Sequence, residues 1–201
     1  MATGGETEAG RPGADRVDYL DERGVEFLES MRSPADRPPK ARLITVVTSV
    51  DIAAEPNAIW RILCDAKLPL TAPCWFRLGV PTPEKCAIVT EAGGVGAGRR
   101  CTTNRGSINQ RITQWDENER LAFEWIDDTV GLGAYLNSMR DAFTLEPLET
   151  KRTRLVRRTE YEPKDSVGWV RRAVLRLVVK RIHRYVMRNF KTISESGSKS
   201  L

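Results

Sequence analysis

Between Asp165 and Ile193 the chain runs for about eight helical turns without a proline, and Gly168 is its one weak helix former. A helix of that length must lie against something, and its own pattern says what. At about 100° per residue, Val167, Val170, Val174, Leu175 and Val178 share one broad apolar arc with Val179, Ile182, Tyr185, Val186 and Ile193, which predicts a helix resting on a core. The opposite side is cationic. Arg172, Arg176, Lys180, Arg184 and Lys191 ride the outer face, Arg171, Arg181 and Arg188 flank it, and no acidic residue interrupts from Ser166 to Ser194. The remainder of the chain is expected to wrap the apolar side.

With 201 residues and 40% hydrophobic content the chain is long enough for one domain with a sizeable core and short for two. Residues 1–40 are expected to be a disordered tail carrying a short amphipathic helix, Val17 to Met31, and a linker broken by Pro34, Pro38 and Pro39. Residues 41–194 form the domain, and residues 195–201 a second disordered tail. The net charge of +5 permits an anionic partner, but much of the excess sits on the terminal helix. The opening MATGGETEAG lacks the basic and apolar regions of a secretory signal, and no apolar run reaches spanning length, so a cytoplasmic protein is expected. Cys64, Cys74, Cys86 and Cys101 have no ligand spacing and His183 is the one histidine. No metal site and no cofactor are therefore expected, and the cysteines are taken as free, mostly buried thiols.

Arg42 to Ile52 is β-branched and alternating, a strand. Pro56 then introduces a helix over Asn57 to Cys64 with Ile59, Trp60 and Leu63 in a stripe. Four prolines break up Lys67 to Lys85, and Trp75, Phe76 and Leu78 inside that stretch predict a lid or second short helix. Beyond it the period becomes two. Cys86–Glu91, Gly98–Arg105, Ser107–Trp115, Leu121–Ile126, Tyr135–Glu146 and Thr153–Tyr161 are six further strands. Gly93 to Gly98 imitates a phosphate-binding loop, but it leads into a strand rather than a helix, which favours a hairpin turn.

That order of elements, with the phrases VDIAAEPNAIWRIL (Val50–Leu63), WFRLGVPTP (Trp75–Pro83), GSINQRITQWDENERL (Gly106–Leu121), TRLVRRTEY (Thr153–Tyr161) and IHRYVM (Ile182–Met187), resembles the SRPBCC superfamily of START-like and Bet v 1-like proteins and its polyketide cyclase/dehydrase group. The resemblance spans about Arg42 to Lys191. It implies an α+β helix-grip fold, a curved antiparallel sheet of about seven strands around a long C-terminal helix. It also implies a hydrophobic small-molecule ligand, polyketide-, lipid- or quinone-like, held between sheet and helix. Whether the ligand is turned over, by cofactor-free cyclisation or dehydration, stays open at this level.

Strand alternation supplies candidate site residues. With Phe143 and Leu145 facing inward, Met139 and Asp141 share their face; with Leu155 inward, Arg157, Thr159 and Tyr161 do; Gln110 joins Ile108 and Ile112, and Trp125 joins Leu121 and Phe123. Buried polar groups cost about 1–3 kcal/mol when unpaired, so this set either pairs internally or lines a cavity. The expected ligand site has apolar walls from Trp75, Trp125, Met139, Val174 and Val178, and a polar end of Gln110, Asp141, Arg157, Thr159 and Tyr161. Asp141 and Tyr161 are the weak candidates for acid or base work. The competing reading is an Asp141–Arg157 ion pair at the sheet rim. His183 falls roughly 160° from the arc centre, which predicts a surface or capping role, and Cys101 is expected to pack. The basic face has two readings, peripheral contact with an anionic membrane through Arg172, Arg176, Lys180 and Arg184, or a solvated exterior. No aromatics interleave with it, so nucleic acid is not an expected partner. A non-enzymatic lipid or quinone carrier and a protein-interaction module docking through Val17 to Met31 are the alternative functions.

Overall fold

The computed structural model describes residues 43–90, 93–149 and 151–197. The expected N-terminal tail, its short helix and the last four residues lie outside them. The described chain runs β1 (Ile44–Ile52), α1 (Pro56–Cys64), β2 (Asp65–Lys67), a 3-10 turn (Cys74–Leu78), β3 (Pro83–Ile88), β4 (Gly98–Thr103), β5 (Gly106–Asp116) and β6 (Arg120–Asp128). A second 3-10 turn (Leu132–Ala134), β7 (Leu136–Glu149), β8 (Arg152–Pro163) and α2 (Trp169–Gly197) complete it. The strands form one curled antiparallel sheet in the order β1-β8-β7-β6-β5-β4-β3-β2. All seven expected strands are present, and β2, three residues long, is the eighth. It is too short to leave a periodic signal and exists because its backbone pairs with β3.

Local chemistry accounts for the elements. Pro56 occupies the first turn of α1, where its fixed φ suits a helix and its missing N–H is not needed. Ile59, Trp60 and Leu63 then bury one stripe, with Trp60 edge-on to Trp115 at 5.0 Å. The Pro-rich segment is strapped to α2: Tyr185 donates from its hydroxyl to the Leu70 carbonyl (2.8 Å), and the Leu70 N–H donates to Asn189 Oδ1 (3.0 Å). Phe76 inserts against Tyr185, and Trp75 stacks on Phe76.

The two halves of α2 live in different surroundings. From His183 onward it is a core element, burying Tyr185, Val186, Met187, Asn189, Phe190 and Ser194 against β1 and α1. Before that point Trp169 is 82% exposed, Val170 53%, Val174 54% and Leu177 51%. The helix begins and ends four residues later than its pattern implies. Its last turn is held by Glu195, which accepts from the Ala53 N–H and pairs with Lys191, so residues 195–197 belong to the helix and not to a tail.

Candidate functional site

Between the first half of α2 and the sheet lies a cavity of about 640 Å³, while Leu175 and Val179 of that half pack on the cluster of Val46, Leu136 and Tyr161. Its mouth is marked by exposed wall residues: Leu78, Arg105, Gly131, Tyr135, Arg171 and Val174. Its deep end is buried, with Phe123, Phe143, Val186 and Phe190 as apolar wall and Arg99, Gln110, Asp141, Thr159 and His183 as polar groups.

Seven of the ten residues expected at a ligand site lie on this wall: Gln110, Met139, Asp141, Arg157, Thr159, Val174 and Val178. Strand register explains the grouping, because β7 and β8 place Met139 opposite Tyr161, Asp141 opposite Thr159 and Phe143 opposite Arg157. Three are elsewhere. Trp75 turns away to a smaller cleft with Arg181, Arg184 and Arg188. Trp125 is covered by the 3-10 turn at Leu132–Ala134, whose Gly133 backbone lies against its ring. Tyr161 is fully buried in a satellite cluster with Val46 and Leu136, and its hydroxyl has no partner. Burial pushes that hydroxyl above its ordinary range, which keeps it protonated at neutral pH.

The polar end is a continuous chain. Arg157 grips Asp141 with Nε (3.1 Å) and Nη2, and its guanidinium lies 5.2 Å from the centre of the Phe143 ring. Thr159 donates to Asp141 Oδ1 and contacts His183 Nε2 at 2.6 Å, while His183 Nδ1 meets the Thr48 hydroxyl at 3.0 Å. The network assigns the tautomer. Thr159 has one hydroxyl proton and spends it on the carboxylate, so it accepts from Nε2–H, and Nδ1 accepts from Thr48. His183 is thus a fully buried neutral imidazole, its pKa pulled down to about 3 by burial and by Arg157, against the opposing pull of Asp141. Burial alone raises the Asp141 carboxyl, but the charge and hydrogen bonds of Arg157, together with the Thr159 hydrogen bond, hold it below the usual carboxylate range.

His183 therefore contradicts the surface role expected from helical phase. The valines that centred the apolar arc belong to the half of α2 that lines the cavity, whereas the core face of the other half runs through His183, Val186, Met187, Phe190 and Ser194. The free-thiol expectation fails for one pair. Cys86 and Cys101 are directly opposite on β3 and β4, with Cα atoms 4.0 Å apart, and form a disulfide in the cavity wall. Cys64 and Cys74 are free. Arg99 was not among the expected residues. The same alternation that found Gln110 reaches it, since Arg99, Cys101 and Thr103 share the inner face of β4.

Of the basic stripe, Arg176, Lys180 and Arg184 are exposed. Arg172 is occupied by the Val167 and Lys164 carbonyls, and Lys191 by the Asp51 carbonyl. Among the described residues no His, Cys, Asp and Glu cluster has a metal-holding arrangement, and no helix is long and apolar enough to cross a membrane.

A curled sheet, a helix gripped by it and a cavity between them define the helix-grip class. The chain belongs to the family described as "Polyketide cyclase / dehydrase and lipid transport", whose profile matches residues 44–195. Among solved structures it is similar to a START superfamily protein from Mycobacterium smegmatis (TM-score 0.56, 15% identity, 76% of this chain and 97% of that one). It is likewise similar to the Zhui aromatase/cyclase from Streptomyces sp. R1128 (0.57, 19%, 77% and 94%) and to Ara h 8.0201 (0.58, 14%, 77% and 99%). At these identities the likeness is one of fold. Among curated proteins no significant match is found.

Proposed function

We propose that the chain binds an apolar or aromatic small molecule, polyketide-, lipid- or quinone-like, in the cavity between sheet and α2. The observation that carries this reading is the cavity itself. A space of about 640 Å³ falls in the range of small-molecule sites, and its mostly apolar wall ends in polar groups that orient a carbonyl or hydroxyl. Any turnover there relies on orientation in a dry pocket. Asp141, held ionised by Arg157, is a poor proton acceptor, and neutral His183 has both ring nitrogens engaged by Thr48 and Thr159. Native mass spectrometry of protein purified from its source cell, followed by organic extraction, is expected to release a bound apolar molecule whose class separates enzyme from carrier. A clean unliganded mass, with no thermal stabilisation by a panel of such molecules, rejects the reading.

Exchange of that ligand with an anionic membrane is a second reading with its own observation. Leu78 is 86% exposed and Trp169 82%, Leu78 and Val174 are on the cavity wall, and Arg171, Arg176 and Lys180 are exposed on the same helix. Apolar side chains beside cations suit an anionic bilayer interface. Co-sedimentation with phosphatidylserine-containing vesicles is expected to be salt-sensitive and to fall several-fold on Trp169→Ala or on reversal of Arg176 and Lys180. Equal recovery with neutral vesicles removes this reading and leaves the cavity untouched.

A further inference from the structure

The charges on the cavity wall do not balance. Four arginines line it, Arg99, Arg105, Arg157 and Arg171, against one acidic side chain, Asp141. Arg105 and Arg171 are exposed and hydrated at the mouth. Asp141 is committed to Arg157, which takes both of its oxygens, and to Thr159. His183 is neutral. The deep end therefore carries two cations and one anion, and the excess charge belongs to Arg99.

Arg99 is 3% exposed. Its partners are all neutral: Nη1 donates to Gln110 Oε1 at 2.6 Å and lies 3.1 Å from Cys101 Sγ, and the guanidinium sits 4.3 Å from the centre of the Phe123 ring. Its Nε is buried without any hydrogen-bond partner. Burial pulls its pKa down to about 10, which still leaves it charged at neutral pH. A buried guanidinium without a counter-ion is costly, because its lost hydration is not replaced. It is a group arranged for an anion that arrives with something else.

We infer that the ligand is an amphipathic acid, an apolar body ending in a carboxylate-type anion that docks on the Arg99 guanidinium at the deep end of the cavity. The inference rests on the reading of the cavity as a ligand site. Arg99 fits the task because a planar guanidinium matches a carboxylate through paired N–H groups, and such charge-assisted bonds strengthen away from water. Gln110 and Phe123 hold it in place beneath the apolar wall, so the ligand's body runs from there toward Val174 and Leu78 at the mouth.

The test uses two fluorescent probes that share one apolar body, N-phenyl-1-naphthylamine and its sulfonated counterpart 1-anilinonaphthalene-8-sulfonate, titrated at pH 7.5 into the full chain. The sulfonate is expected to bind about tenfold or more tightly than the neutral amine, the size of one charge-assisted bond. Arg99→Met, which removes a charge that has no ion-pair partner, is expected to bring the two within about threefold by weakening the sulfonate. Arg99→Lys, which keeps the charge without the fork, retains part of the preference and covers the case in which the Met variant folds poorly. Arg171→Gln at the mouth leaves the preference in place. Equal binding of the two probes by the unaltered chain overturns the inference, as does a preference that survives Arg99→Met or is lost in Arg171→Gln. Failure of both probes to bind is a different result, since it rejects the ligand site itself.

Discussion

Asp141→Asn is expected to lower the unfolding free energy by about 3 kcal/mol or more, read by urea denaturation at pH 7. The side chain is 3% exposed and satisfies Arg157 through both oxygens and Thr159 through one. Asparagine keeps the shape and loses the charge. Arg157, whose side chain is only 14% exposed, would then share a low-dielectric cavity end with Arg99 and no anion between them, and two unpaired buried cations cost far more than one broken hydrogen bond. Arg157→Met in the Asp141→Asn background removes one of those cations and is expected to restore more than half of the loss, a coupling that a double-mutant cycle measures. If Asp141→Asn lies within about 1 kcal/mol of the unaltered chain, well short of the cost of an uncompensated buried charge, the pair is not what stabilises this end. The residue that alternation singled out as a candidate for catalysis is thus first a counter-ion. Loss of any activity in this variant has to be normalised to folded protein before it says anything about chemistry.

Alternation carried the strand faces because β7 and β8 are long and continuous across the cavity, so Met139, Asp141 and Phe143 on one and Arg157 and Thr159 on the other follow from one inward residue each. It placed Trp125 and Tyr161 on the correct side of their strands, but sidedness does not say whether a ligand or another element covers a residue. The turn at Leu132–Ala134 covers Trp125, and packing in the satellite cluster closes over Tyr161. The family resemblance and the helix-grip order were legible for a related reason, since both depend on element order and period. What stayed hidden depends on contacts between elements distant in sequence. The Cys86–Cys101 bridge follows from a cross-strand register fixed by the turn around Gly94 and Gly96, and no spacing rule encodes it. The change of role midway along α2 depends on where the Pro-rich strap reaches the helix at Tyr185 and Asn189. A single apolar arc averaged over the whole helix mixes the cavity wall with the core, and His183 was misplaced by that average.

The buried neutral state of His183 makes acid stability its most direct readout. Its ordinary pKa is near 6.5 and its folded value is about 3, so below pH 6.5 the unfolded chain takes up a proton that the folded chain refuses. Stability then falls with decreasing pH, by about 1.4 kcal/mol per unit, from just under pH 6.5 toward pH 3, and is fully present above pH 6.5. Other groups act in a different window. Asp141 is also lowered from its ordinary 3.8, so its own loss begins below that value and leaves the interval from pH 6 to 4.5 to the histidine. Every group facing the ring favours the neutral form or only partly opposes it. The Thr48 hydroxyl donates to Nδ1, Thr159 accepts from Nε2 with its own proton on Asp141, Arg157 repels a second positive charge, and Asp141 alone attracts one. Urea unfolding at pH 7, 6, 5 and 4.5 is expected to show this slope in the unaltered chain. His183→Gln, a neutral side chain with an NH2 donor group and a carbonyl acceptor, is expected to flatten it while costing about 1–3 kcal/mol at pH 7 through the imperfect match to Thr48 and Thr159. A shared slope in both proteins would assign the acid sensitivity to other groups. A flat profile in the unaltered chain would mean that the ring accepts its proton in place, with the Thr48 hydroxyl turned to accept from Nδ1.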